Sequence, residues 1–365
     1  MQLPILRRMG ASTAAMRRRA AASPHYRDGE FRAHEPSKVV GGAEDASPGS
    51  MLVTTVRERR RGRPVRPVPL VAPRHPDEPG ELALTWYGHA TSVVELDGRR
   101  FLLDPVFGER VSPSAFVGPK RLHPAPGPIA EIPRLDAVII SHDHYDHLDE
   151  PSIRQLERSH RPRYVVPIGV DLHLESWGVP ADRITSLDWR ESTQVNGITL
   201  TCTEARHFSG RGLVRNQTLW AAWALRGPRH AVFFGGDSGP THRYADIGTD
   251  LGPFDLTLIP VGAYSVHWPD IHLNPDEAIE AHLAVNRGPS DAVMLPIHWA
   301  TFNLAHHWWS EPIRWTRKAA AAHRVRLITP RVGSRVDLGD GDLDAVVAAH
   351  QDPWWEQSSA PEDRD

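Results

Sequence analysis

The sequence predicts an α/β protein whose two strand-rich halves, before and after about residue 215, suit a two-fold sandwich. Three observations carry this expectation. Short apolar, β-branched runs recur from residue 82 to residue 328, and helical patterns separate several of them. Two-residue turn signals, Asp97-Gly98 and Asn196-Gly197, join consecutive strands as hairpins. Four of the strands end in histidines or aspartates, which gathers ligand-type side chains along one edge of a sheet.

Taken in order, residues 1–80 differ in composition from the rest of the chain. Arg7, Arg8, Arg17, Arg18 and Arg19 flank small residues with no continuous apolar stretch, which argues against a secretory signal. Residues 57–76 alternate arginine with proline and read as an extended, solvated linker. We therefore expect a largely disordered or extended segment over 1–80, a folded domain over 81–352 and a polar tail over 353–365. Strands are predicted at 82–87, 92–96 and 100–103. The Pro- and Gly-rich stretch 105–133 reads as a long irregular loop, a length that usually serves as a wall of a site. A strand at 137–141 precedes a helix at 151–158 with Pro151 in its first turn. A strand at 164–167, a helix at 170–177 and a hairpin over 193–204 come next. Further strands are expected at 219–225, 230–235 and 257–260. Asn274 is the candidate N-cap of the next helix, with Pro275 at its first position and Asp276 and Glu277 in its first turn. A strand at 291–295, a helix at 311–322, a strand at 325–328 and a helix at 343–350 close the chain.

The chemistry is concentrated in residues 136–149, D-A-V-I-I-S-H-D-H-Y-D-H-L-D. An apolar strand delivers His142, His144, Asp146 and His147 within six positions. Imidazole and carboxylate are ligands of borderline, non-redox metals such as zinc. Side chains so close would repel one another if protonated, so the cluster makes physical sense around cations. His207, Asp237 and His298 stand at later strand ends and complete a two-metal pattern.

Composition narrows the alternatives. A formal net charge of −3 offers no global attraction to nucleic acid. Cys202 is the single cysteine, which excludes an internal disulfide or a thiolate cluster and fits a reducing, cytoplasmic compartment. No run approaches the roughly 20 apolar residues of a membrane span.

The segments H-D-H-Y-D-H-L, G-G-D-S-G (residues 235–239) and P-I-H-W (residues 296–299) are similar to metallo-β-lactamase-fold hydrolases of the N-acyl-phosphatidylethanolamine phospholipase D type. W-Y-G-H-A-T (residues 86–91), S-A-F-V-G-P-K-R (residues 114–121) and H-L-N-P-D-E-A (residues 272–278) narrow the resemblance to that branch. D-P-V-F (residues 104–107) belongs to the same set, and S-P-H-Y-R-D-G-E-F-R extends it weakly back to residue 23. A more distant likeness is to ascorbate-phosphate lactonases. Residues 33–80 are not family-like, which sets them apart from the lipid enzymes' N-terminal regions.

The resemblance implies a four-layer αββα sandwich holding two divalent ions, zinc first, with manganese or iron as alternatives. It makes His142, His144 and His207 ligands of one ion, Asp146, His147 and His298 ligands of the other, and Asp237 the bridge. A metal-bridged hydroxide would then attack a phosphodiester, with N-acyl-phosphatidylethanolamine as the expected substrate. His272 matches a substrate-facing position; it either protonates a leaving oxygen or serves the following helix as a neighbour of its cap. Asp143 could orient a ligand imidazole, and His89 and Asp104 sit on early loops near the site. Tyr264, His267, Trp268 and Trp299, with Phe302, Trp308 and Trp309 beyond them, are candidates for an aromatic, substrate-binding rim or for ordinary packing. The alternative reaction is lactone or ester hydrolysis on a small phosphorylated metabolite; a non-enzymatic metal-binding protein is the remaining one. Expected partners are a phospholipid or small phosphoester, without nucleic acid, with peripheral contact at the inner membrane surface and a self-associated form both allowed.

Overall fold

The computed structural model of the chain describes residues 4–37, 61–339 and 341–363. Two short helices, α1 (Pro4–Met9) and α2 (Thr13–Ala20), open it, followed by a small hairpin of β1 (Tyr26–Arg27) and β2 (Glu30–Phe31). Strands β3 (Leu82–Gly88), β4 (Thr91–Leu96) and β5 (Arg99–Leu103) form an antiparallel meander turning at Asp97-Gly98. The chain then passes through the long loop to β6 (Ala137–Ile139), α3 (Glu150–Ser159), β7 (Arg163–Pro167), α4 (Val170–Ser176) and β8 (Ile184–Leu187). These three strands pair in parallel, in the order β5-β6-β7-β8.

The second half repeats this plan. Hairpin β9 (Ser192–Val195) and β10 (Ile198–Thr203) adds β11 (Ala222–Arg226) and β12 (Ala231–Phe234) antiparallel. After α5 (Arg243–Leu251) come β13 (Leu256–Pro260), α6 (Pro275–Val285), β14 (Val293–Ile297), α7 (Glu311–His323) and β15 (Arg326–Leu327), with the strands parallel. Strand β16 (Arg335–Asp337) crosses back to pair with β3, and α8 (Leu343–Ala349) comes after it. Each sheet therefore has seven strands, three antiparallel pairings and three parallel ones. The halves divide near residue 190 and not near 215, because the 193–204 hairpin hydrogen-bonds to β11 and opens the second sheet.

Alternation along the strands creates the layers. Leu84, Trp86, Val94, Phe101 and Leu103 face the second sheet and pack with Leu200, Trp223 and Phe234 in one core. Their neighbours Tyr87, Val93, Leu102 and Val138 point the other way, beneath Ile153 and Leu156 of α3 and Leu174 of α4. The helices of the second half cover its sheet through Ile247, Ala278, Ile279 and Ile313. Helix α6 starts where a capping box dictates: the Asn274 side chain accepts from the Glu277 amide, and the Glu277 carboxylate accepts from the Asn274 amide.

Both ends differ from the expected extended segment and polar tail. Within residues 4–37, Met16, Ala20 and Phe31 are buried. Arg7 pairs with the buried Glu150 and Arg19 with the buried Asp171. Residues 61–79 also run along the domain, with Val68 buried and Leu70 bridged to Val332; residues 57–60 of the predicted linker lie outside the described residues. At the other end Trp354 and Trp355 are buried against Trp299, and Asp363 accepts from Ser310. Local composition hides these contacts because each partner lies far away in the chain.

Candidate metal centre

The ligand-type residues meet where strands of both sheets end. Strand β6 runs into the loop carrying His142, His144, Asp146 and His147. His207 follows β10, Asp237 follows β12 and His298 follows β14. Two sets of donor atoms result. His142, His144, His207 and Asp237 form one, and His89, Asp146, His147 and His298 form the other; within each set the atoms lie within 4.8 Å of one another. In the first, His144 Nδ1 lies 2.8 Å from His142 Nε2 and 3.2 Å from His207 Nε2. In the second, Asp146 Oδ2 lies 2.9 Å from His89 Nε2 and 3.3 Å from His298 Nε2. Asp237 Oδ2 reaches both, at 3.7 Å from His207 Nε2, 3.2 Å from His147 Nε2 and 3.1 Å from His298 Nε2.

His89 enters more closely than its place on an early loop implied. A positive φ of 53° at His89, in the turn between β3 and β4, goes with this inward position. His298 and Ala300 are also left-handed, with φ of 65° and 64°. Non-glycine residues held there signal a backbone constrained by its surroundings. Glycine is needed beside Asp237: at Gly236 an added Cβ would fall 2.8 Å from the Ser141 Cβ and 2.9 Å from the Ala221 carbonyl oxygen.

A buried second layer holds these rings. Asp104 accepts from the Ser141 amide at 2.7 Å and lies 2.6 Å from His147 Nδ1. His207 Nδ1 lies 2.9 Å from the Ile271 carbonyl oxygen, which directs its Nε2 toward the site. Asp143 points away from the centre, toward His173 and the Gly210 amide, and orients the surrounding loops rather than a ligand ring.

The electrostatics are those of a site that expects cations. Burial favours neutral carboxyls, yet the facing His147 and His298 hold Asp237 well below the usual carboxylate range, and His147, His298 and His89 do the same for Asp146. Burial also opposes charge on His147, but Asp237 and Asp146 outweigh it and raise that imidazole well above its ordinary value. The same competition lifts His298 to about 9. Burial and neighbouring imidazoles push His142 well down; burial, despite Asp237, does the same to His207. In addition, His147 Nε2, His298 Nδ1, His272 Nδ1 and Asp237 Oδ1 are buried without a hydrogen-bond partner. Orphaned donors and acceptors of this kind are rare in folded proteins. Two carboxylates amid six imidazoles, with unsatisfied atoms, fit divalent ions.

A cavity of about 280 Å³ opens over the centre, lined by His144, Asp146, Asp237, His272 and His298 with Phe208, Arg215, Trp268, Ile271 and Leu304. Of the four expected rim residues, Trp268 alone lines it. Trp299 is buried between Trp86 and Trp354 as core. Tyr264 turns to Glu311 and stacks on His307, and His267 is exposed. Phe302 packs with Val106 and Val111 and touches His89 edge-on, while Trp309 is buried. Loop 105–133 contributes no side chain to this cavity; Arg121 ties it to the Val106 and Tyr87 carbonyls instead. Phe208 and Arg215 had no signal beyond their proximity to His207.

The chain is similar to several known proteins. A β-lactamase superfamily domain matches residues 99–299. An uncharacterised protein of Mycobacterium tuberculosis is 46% identical over 95% of this chain and 91% of its own length. The N-acyl-phosphatidylethanolamine-hydrolyzing phospholipase D 1 of Caenorhabditis elegans is 40% identical over 60% of this chain and 64% of its own. In fold, a possible metal-dependent hydrolase from Veillonella parvula superposes with a TM-score of 0.56 at 19% identity, over 70% of this chain and 99% of that one. The match over residues 99–299, with the αββα sandwich and the two donor sets, shows that the chain belongs to the metallo-β-lactamase superfamily of metal-dependent hydrolases.

Proposed function

We propose that the chain is a binuclear phosphodiesterase of the phospholipase D type, acting on an N-acylated phosphatidylethanolamine. The observation that carries this reading is the pair of donor sets sharing Asp237 at the floor of one cavity. His142, His144 and His207 would hold one divalent ion, and Asp146, His147 and His298 the other, with Asp237 between them. His89 then backs Asp146, a hydrogen bond that aims the carboxylate. Zinc suits this nitrogen-and-oxygen set, with manganese or iron as alternatives. Bound there, two ions would lower the pKa of a water and offset charge developing on the attacked phosphoryl group.

The chain's own residues supply the rest. His272 lines the cavity, and its ring lies 5.1 Å from that of His207. Burial, despite Asp237, holds it down to about 4, so at neutral pH it is an uncharged imidazole. In that form one ring nitrogen can donate a hydrogen bond to a substrate oxygen and so position it, while the proton for the departing alkoxide comes from the water that is consumed. Phe208, Trp268, Ile271 and Leu304 give the walls an apolar surface, which would exclude water and hold the unreactive part of a lipid. Net, water adds across the P–O bond; an alcohol, here an N-acylethanolamine, leaves, and phosphatidic acid remains. The named C. elegans and Saccharomyces cerevisiae relatives hydrolyse N-acyl-phosphatidylethanolamine by their names, which favours this substrate. We place the reaction at the cytoplasmic face of a membrane.

One observation favours a second reading. At about 280 Å³ the cavity lies just below the usual size of ligand sites, roughly 300–1,000 Å³, and would also suit a lactone or ester of a small phosphorylated metabolite. Mass spectrometry of a total lipid extract supplemented with N-acyl-phosphatidylethanolamine decides between them, with Asp237→Asn as control. Phosphatidic acid and N-acylethanolamine should appear only with the unmodified, metal-loaded protein. An unchanged lipid profile from a protein carrying two metals would move the assignment to the soluble substrates.

A further inference from the structure

Exposed large apolar side chains are scarce on this molecule, and they are not scattered. Nine are exposed among the described residues, and six sit in three adjacent pairs: Ile5 and Leu6, Phe116 and Val117, Leu213 and Val214. Helix α1, which carries the first pair, touches the segments that carry the other two. Arg8, two residues past Leu6, donates from Nη1 to the Ser112 carbonyl at 3.5 Å, and its own carbonyl accepts from Arg211 Nη2 at 2.7 Å. The Met9 side chain lies against Gly212, and Ser112 lies against Gly118, at the base of the Phe116–Val117 turn.

We infer that these three tips form one docking platform for an anionic lipid bilayer. Charge supports that occupant over another protein. Arg8, Arg110, Lys120 and Arg215 stand on the same three segments, and Glu109, already paired with Lys120, is the one acidic residue within 4–9, 109–120 and 208–216. Apolar tips inserted among headgroups, with arginine and lysine around them, are how peripheral proteins hold a charged membrane. The platform also leads to the centre: the 208–215 loop presents Leu213 and Val214 outward and sends Phe208 and Arg215 into the cavity wall. The Arg215 guanidinium lies 5.0 Å over the Phe208 ring, so the residue joins the membrane face to the site. The arginine-rich start of the chain thereby acquires a role, since α1 supplies one of the tips.

This inference rests on the lipid reading for its purpose, but vesicle binding can be measured without turnover. The metal-loaded protein and its Phe116→Ser/Leu213→Ser variant are floated with phosphatidylcholine vesicles, with and without phosphatidylglycerol. Hydrolysis of the soluble diester bis-para-nitrophenyl phosphate is followed in parallel. We expect binding that requires phosphatidylglycerol, weakens with salt and falls about tenfold or more in the variant, while soluble-diester hydrolysis is unchanged. Equal flotation of variant and parent overturns the platform. A parent that sediments as a dimer and a variant that sediments as a monomer also overturn it and make the face a self-interface. Phosphatidylglycerol-dependent flotation with no hydrolysis of any N-acylated phospholipid supports the platform and removes the lipid-hydrolase reading.

Discussion

Asp237 is the side chain with most at stake, because it is buried and within 4.0 Å of His142, His147, His207, His272 and His298. Asp237→Asn keeps the shape and removes the charge. Turnover should fall by a factor on the order of a thousand or more, with loss of bound metal and an unchanged circular-dichroism spectrum. Full activity in this variant would remove the bridging role. The imidazoles make a second prediction. His298, lifted to about 9, and His147, raised well above its ordinary value, both carry a proton at neutral pH when the centre holds no cation. A metal accepts only the neutral ring, so loading at pH 7 should release about two protons per chain. Affinity should accordingly rise with pH until about pH 9. Titration calorimetry in buffers of different ionisation enthalpy reads the release directly, and a heat independent of buffer would refute it.

Two elements invite tests of what holds the site in place. The N-cap of helix α6 lies two residues after His272, and its capping box orders that junction. Asn274→Ala should cost about 1 kcal/mol of stability and raise KM while metal content stays at the parent's level. Denaturant unfolding, steady-state kinetics and metal analysis read the three quantities, and unchanged stability would show that the cap is not what orders the junction. At the β3-β4-β16 edge, Glu95 is buried and accepts from Arg335 and the Gly80 amide, both at 2.7 Å. Burial alone would raise this carboxyl; His75, Arg335 and the Gly80 amide outweigh it and bring it down to about 2. The stability it contributes is therefore complete above about pH 4.5, its ordinary value, and is lost as pH falls toward about 2. Glu95→Gln should be less stable than the parent at neutral pH and indistinguishable from it near pH 2. A difference that persists into acid would disprove the linkage.

The whole molecule closes through its ends. Trp354 and Trp355 are buried against Trp299, the residue after the site's His298. Removing residues 353–363 would open a cavity behind that strand end. Truncating a buried tryptophan alone costs about 3–5 kcal/mol, so this deletion should lower the melting temperature and reduce metal content together. A truncated protein as stable as the parent would make the tail a passive appendage. The duplicated plan of the sheets gives the same reason for the centre's position: the first sheet supplies its ligands from the β6 end and the second from the ends of β10, β12 and β14. Neither half holds a complete site.

Legible in the sequence were the strands and helices with strong periodicity, the hairpin turns, the α6 cap and seven of the eight residues in the two donor sets. Those signals are local: a ligand cluster six residues long, a Pro after an Asn, an Asp-Gly between apolar runs. The tertiary structure alone decided what depends on distant partners. It brought His89 against Asp146, 57 residues away in the chain. It turned Trp299 and Tyr264 from the cavity into packing, and it bound residues 4–37 and 353–363 to the domain through buried acids and aromatic rings. A side chain's chemistry is written in its identity, but its burial depends on what the rest of the chain brings beside it, and local patterns carry no record of that.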